Sequence, residues 1–149
     1  IRALNPQAGI RSNFIVGFPG ETEAEYEELV TFISKARLDA IGIFGYSDED
    51  KTEAIELSNK IEEDVIKERL SEITTLVDEV ISQRAEERIG ERVRVLIEDE
   101  ETGEGRAEHQ GPEVDGSTFV RGRTKFRVGE YVDAIVSEVE GVDLVATPL

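Results

Sequence analysis

The sequence contains no cysteine, no methionine and no tryptophan, and only one histidine among its 149 residues. Without cysteine there is no disulfide and no thiolate for a zinc or iron–sulfur site, and His109 cannot assemble a metal cluster alone. Methionine is missing even at position 1, so a piece of a longer chain is expected. No apolar run approaches the roughly 18 residues that span a bilayer, and no signal-peptide core follows Ile1, Arg2 and Ala3. A soluble, cytoplasmic protein is expected, with no membrane partner.

Positive charge is also scarce: 17 Lys and Arg stand against 34 Asp and Glu, a formal net charge of −17. The excess is spread along the chain, with 10 basic against 20 acidic residues up to Gly90 and 7 against 14 after it. Such a field repels phosphates and argues against sequence-independent nucleic-acid binding. It favours a basic partner and also serves solubility. The 38% hydrophobic content is compatible with a packed core in one or two small domains.

The first part reads as α/β. Phe14, Ile15 and Val16 form a buried strand that stops at Gly17-Phe18-Pro19-Gly20, a tight turn. Thr22 and Glu25 make a capping box, and Tyr26, Leu29, Val30 and Ile33 give the following helix one apolar face up to about Ala36. Residues 38–46 read as a second strand, mostly apolar on both faces, which favours a parallel pair and a βαβ unit. From 61 to 89 there is neither Pro nor Gly, and Ile66, Leu70, Ile73, Val77 and Val80 keep a heptad-like spacing. One helix of roughly 40 Å follows, long enough to bridge two domains, with a free coiled coil as the other reading.

Gly90 suits a helix end, and the texture then changes to short alternating segments. Strands are expected at 93–97, 105–109, 117–120, 132–139 and 142–146, with turns near Gly103, Gly116 and Gly141. Five short strands in about 60 residues fit a small closed barrel of the OB-like kind. The division expected is 1–58 for the α/β part, 59–89 for a linker helix and 90–149 for the barrel. Arg121, Arg123, Lys125 and Arg127 alternate and would line one face if extended, a possible phosphate-contacting strip beside the ordinary reading of a solvated hairpin.

The string Ile15-Val16-Gly17-Phe18-Pro19-Gly20-Glu21-Thr22, preceded by Arg11, resembles the late-barrel strand and turn of radical S-adenosylmethionine methylthiotransferases. Phe44-Gly45-Tyr46-Ser47 resembles the last barrel strand of that family, although Lys51-Thr52-Glu53-Ala54 stands where it usually has Gly-Thr-Pro-Ala. Residues 59–89 are similar to its linker, and the five-strand module resembles its TRAM domain. Within that module, Gly105-Arg106 and Gln110-Gly111-Pro112-Glu113-Val114-Asp115-Gly116 look like the branch that modifies an aspartate of a small-subunit ribosomal protein. The transfer RNA branch carries a different, Asn-containing sequence there.

The resemblance implies the C-terminal βαβ portion of a partial TIM barrel, a linker helix and a TRAM β-barrel. It implies S-adenosylmethionine and two 4Fe–4S clusters in the parent enzyme, whose Cys-x-x-x-Cys-x-x-Cys loop is not in this sequence, so the chain alone is expected to bind neither cluster and to be inactive. Arg11, Ser12, Gly17, Phe18 and Tyr46 are the expected cofactor-side residues, placed at strand ends where α/β barrels bind ligands. Amides at the start of the helix after Thr22 are further candidates for a ligand carboxylate. Arg106, His109, Glu113 and Asp115 are the expected docking residues for the basic ribosomal protein, with the ribosome or its RNA as a further partner. The alternatives are transfer RNA methylthiolation and a non-catalytic OB-like RNA-binding module.

Overall fold

The computed structural model describes residues 1–112 and 115–149 and divides the chain into two compact units, Arg11–Val80 on one side and Ile1–Ile10 with Ile81–Leu149 on the other. In the first unit, strand β1 (Arg11–Val16) pairs in parallel with β2 (Ala40–Gly45), joined by helix α1 (Glu23–Ala36). The expected capping box forms: the Glu25 amide donates to Thr22 Oγ1 at 3.3 Å and the Thr22 amide to Glu25 Oε2 at 2.8 Å. Arg37, in the left-handed region at φ 51°, ends the helix.

Alternation sorts the two strands into faces. Phe14 meets Phe32 of α1 edge-on at 6.0 Å, while Ile15 and Phe44, paired in register, are both more than half exposed on the opposite face. The parallel pairing and the apolar character of both faces match the sequence. Among the described residues, this unit holds one parallel pair of strands and no (βα) barrel of the larger kind.

A 3₁₀ turn (Glu53–Glu56) leads to helix α2 (Glu63–Glu86), shorter at each end than the expected 61–89. Its last turn tightens: the amides of Arg88 and Ile89 reach back three residues, to Ala85 and Glu86, and Gly90 donates to Val136 at 2.8 Å. The apolar stripe is not a free coiled-coil seam, since Ile73 and Val77 are buried within the first unit and Ile66 packs on Gly17 and Gly45. Residues up to Val80 belong to that unit, and those from Ile81 to the barrel unit.

The second unit is a closed five-stranded barrel of β3 (Arg92–Ile97), β4 (Glu104–Ala107), β5 (Thr118–Val120), β6 (Tyr131–Glu140) and β7 (Asp143–Pro148), ordered β3-β4-β5-β7-β6. Val93, Val95 and Ile97 point inward with Val120, Val132, Ala134, Val136, Leu144 and Ala146. Each fully buried Val, Leu or Ile contributes about 1.5–3 kcal/mol. Ala85 of α2 and Phe126 of the loop after β5 join the same core.

Two expectations change here. The strand placed at 105–109 ends at Ala107, because the Gln110 amide donates to the Ala107 carbonyl at 2.9 Å and turns the chain. Arg121, Arg123, Lys125 and Arg127 form no strand: Phe126 dives into the core between them, so their alternation never becomes a flat strip. No helix among the described residues is long and apolar enough to cross a membrane.

Candidate functional site

The turn after β1 is fastened from several sides. Gly17, at φ 79°, donates its amide to both carboxylate oxygens of Glu21, at 3.0 and 3.1 Å. The Gly20 amide donates to the Asn59 carbonyl at 2.9 Å, and a Cβ on Gly17 would lie 2.4 Å from Ile66 Cγ1. Glu21 is held in turn by Arg69 of α2, whose Nη1 lies 2.6 Å from Oε1, while Nη2 reaches Glu23 at 2.7 Å. Burial lowers the Arg69 pKa, yet its hydrogen bonds to Glu23 and Glu21 leave it raised. The sequence offered amides at the start of this helix to a ligand carboxylate, but those of Thr22 and Glu25, like that of Gly17 before them, already donate to protein acceptors.

Beyond the turn, Phe18 and Tyr46 meet edge to face with ring centroids 5.3 Å apart. Phe18 stays 43% exposed, so a half-open aromatic surface stands beside the C-terminal ends of both strands. Tyr46 is fixed by its hydroxyl, which donates to Asp48 at 2.7 Å, and by Lys60, whose ammonium sits 5.2 Å from the ring centre and also bonds Asp48. Hydrogen bonds from Lys60 and Tyr46 hold the Asp48 carboxyl below its ordinary range, and that to Asp48 raises Lys60. Such a surface suits the flat face of an adenine.

Of the five cofactor-side residues, Gly17, Phe18 and Tyr46 come together. Arg11 and Ser12 begin β1, five or six positions from Gly17 and so roughly 16–20 Å away at about 3.3 Å per residue. They also alternate in direction, Arg11 sharing the open face of Ile15 and Ser12 the covered face of Phe14.

The docking residues are more dispersed. Arg106, on β4, donates from Nε to Glu98 at 2.8 Å and lines a depression of about 390 Å³ with Arg94, Glu108 and Tyr131. His109 lines a different, smaller hollow with Asn5 and Arg88, and its carbonyl lies so near Gly9 that a Cβ there would come within 2.2 Å. Asp115 Oδ2 accepts the Gly111 amide at 2.8 Å, bracing its own loop. Glu113 lies outside the described residues. The loop is anchored instead by the buried Gln110, whose Oε1 accepts from the Ala107 amide at 2.9 Å and from Thr118 Oγ1 at 2.6 Å.

Residues 89–149 match the TRAM domain family. Over all of its length the chain is also similar to curated proteins named ribosomal protein uS12 methylthiotransferase RimO. It is 56% identical to that of Saccharopolyspora erythraea and 57% identical to that of Streptomyces avermitilis, each match covering 100% of this chain and 31% of the relative. The protein of Kineococcus radiotolerans is 53% identical, with 100% of this chain and 32% of the relative covered. By sequence, the chain is thus similar to the RimO proteins over its whole length. It spans about a third (31%) of the length of the curated relatives it matches.

The closed barrel that the five-strand pattern implied lies within the residues that match the TRAM domain family, as the resemblance implied. The sequence placed Ile66 on an apolar helix face and Glu21 in the strand-and-turn string, but gave neither them nor Arg69 a part in fastening the turn, nor Lys60 its part in holding Tyr46. Arg69 carried a signal, since it falls three residues after Ile66 and four before Ile73 and so interrupts an apolar face with a cation. Glu21 carried none beyond its place between Gly20 and the helix cap.

Proposed function

We propose that this chain supplies one wall of the S-adenosylmethionine site and the substrate-docking module of an enzyme that methylthiolates an aspartate of ribosomal protein uS12. Similarity to proteins so named, at 56 and 57% identity over the whole of this chain, carries this reading. In it, β1, α1 and β2 within residues 1–58 are the last βαβ portion of a radical S-adenosylmethionine partial barrel. Residues 59–89 form the linker, and 90–149 the docking domain. The exposed Ile15 and Phe44 pair supports that portion, because the strands of a parallel barrel are apolar on both faces.

The residues present fit one of the implied groups and not the other. The open Phe18 and Tyr46 surface fits an adenine, with Gly17 setting the path of the turn and Arg11 on the open face of the sheet. When bound to the whole enzyme, S-adenosylmethionine supplies the radical and the methyl group. A chain without cysteine offers no thiolate for a 4Fe–4S cluster, so both clusters of the parent enzyme would be held by residues outside this sequence. The chain alone is accordingly inactive and works, within its parent, in the cytoplasm where ribosomal proteins are modified.

Arg106, His109, Glu113 and Asp115 are the proposed docking residues, on a barrel whose acidic excess attracts a Lys- and Arg-rich protein. The test is to titrate the chain with uS12 and, separately, with transfer RNA across a salt series. Binding to uS12, weakened by reversing Glu113 and Asp115 to Lys, is the expected result. Preference for RNA with a steep salt slope would overturn it in favour of transfer RNA modification or plain RNA binding.

A further inference from the structure

Arg69 stands out as a cation buried on an apolar helix face, and its contacts lead to one place. Its side chain is 9% exposed, and that of its partner Glu21 is 12% exposed. Glu21 uses the same carboxylate to accept the Gly17 amide, so the guanidinium, the carboxylate and the amide form one unbroken chain from α2 to the turn. Tyr26 locks the cation from the other side: the guanidinium carbon sits 5.1 Å from its ring centre, and its hydroxyl donates to the Arg69 carbonyl at 3.1 Å. The fork of Arg serves Glu21 and Glu23 at once, which a Lys ammonium on a flexible stem does less well.

We propose that Arg69 is the positioning residue of the 17–22 turn: through Glu21 it orients the Gly17 amide and thereby fixes where Phe18 stands beside Tyr46. A carboxylate left without its buried cation turns toward water and releases the amide. The turn then loses its register while α1, capped by Thr22 and Glu25, keeps its own. Arg69 touches no ligand in this scheme; it acts through Glu21. The ligand consequence rests on the reading of this turn as a wall of the S-adenosylmethionine site, whereas the mechanical consequence does not.

Amide exchange of Gly17, followed by NMR on the 149-residue chain, separates the two. Arg69→Gln is expected to raise Gly17 exchange by about 10-fold or more while amides in the middle of α1, such as that of Ile33, keep their rates. Arg69→Lys recovers part of the protection. Unchanged Gly17 exchange in Arg69→Gln overturns the proposal, as does an equal rise throughout residues 23–36, which marks an ordinary packing residue. Should Arg69→Gln unfold the unit, Glu21→Gln probes the same link by keeping an acceptor for Gly17 and removing the charge that Arg69 needs. A rise at Gly17 alone supports the proposal there, and an unchanged rate overturns it. S-Adenosylmethionine is then titrated into each protein while the Phe18 and Tyr46 ring signals are followed. Saturable shifts in the wild type, weakened about 10-fold in Arg69→Gln, support both readings. No shift in the wild type defeats the ligand reading of the turn and leaves the exchange result to decide on Arg69.

Discussion

Gly17 shows how one missing Cβ sets a turn. Its φ of 79° costs an L residue roughly 1–2 kcal/mol, and the added carbon would meet Ile66 Cγ1 at 2.4 Å, an overpacking cost of about 1–3 kcal/mol. Gly17→Ala should lower the stability of its unit by about 2–5 kcal/mol in urea titration, and adding Ile66→Ala should return the steric share only. A loss below about 0.5 kcal/mol, the scale of a neutral surface change, would refute this account. Glu25 makes a second, acid-sensitive contribution. Hydrogen bonds from the Thr22 amide and hydroxyl hold its carboxyl below the ordinary range, so the stabilisation is present above the unfolded value of about 4.3 and is lost as pH falls through the lower folded value. Between pH 5 and 3 the melting temperature of the wild type should therefore fall further than that of Glu25→Ala; parallel curves would show that the box carries no charge-dependent stability. Tyr26 behaves in the opposite sense. Burial and then Glu72 push its phenol up to about 12, so its share of stability is intact below the unfolded value near 10 and is lost as pH rises through 12. In an ultraviolet phenolate titration, Tyr26→Phe should remove a step near 12.

At the scale of elements, the loop after β5 depends on one ring. Phe126 is 8% exposed, and its ring fills the space beside Gly103, where an added Cβ would fall 2.6 Å from Cε2. Phe126→Ala should cost about 3–5 kcal/mol and loosen the segment that carries Arg121 and Arg123, which denaturant unfolding and amide exchange of residues 121–130 would measure together. This ring also explains what the sequence hid. The inward residues alternate strictly along β3 and, in β6, as far as Val136, and the Thr22 and Glu25 spacing marks its own helix, so barrel, cap and parallel pair were legible from period and composition. Alternating cations at 121–127 satisfied the same period, but only the three-dimensional core reveals that Phe126 takes the chain inward. The site was legible in part for a similar reason. Glycine and aromatic residues announce a turn and a surface, whereas the link from Arg69 through Glu21 to Gly17 joins positions 48 and 4 residues apart that no local pattern connects. Arg106, His109 and Asp115 share a short stretch of sequence, yet their contacts go to Glu98, Gly9 and Gly111 respectively.

For the molecule as a whole, the net charge of −17 bears on which partner arrives first and how fast. The turn between β3 and β4 concentrates it, with Glu98, Asp99, Glu100, Glu101 and Glu104 within seven positions. Asp99 is occupied internally, accepting the Glu101 and Thr102 amides at 2.8 Å each, and the Thr102 bonds then the Glu101 bond lower its pKa. Glu100 and Glu101 are exposed, so their charge faces solvent and any approaching protein. If a basic ribosomal protein is the partner, Glu100→Lys with Glu101→Lys should slow association by about 10-fold at low salt and change dissociation little, because charges at the rim steer the encounter more than they hold the complex. The difference should shrink as added salt shortens the screening length toward about 3 Å at 1 M. A polyanionic partner reverses the sign: the same two substitutions would then speed the association of transfer RNA. Stopped-flow rates for uS12 and transfer RNA, measured on the wild-type and doubly substituted chains, therefore distinguish the partners by direction rather than by size. A faster encounter with uS12 after charge reversal would contradict the electrostatic argument for a protein substrate.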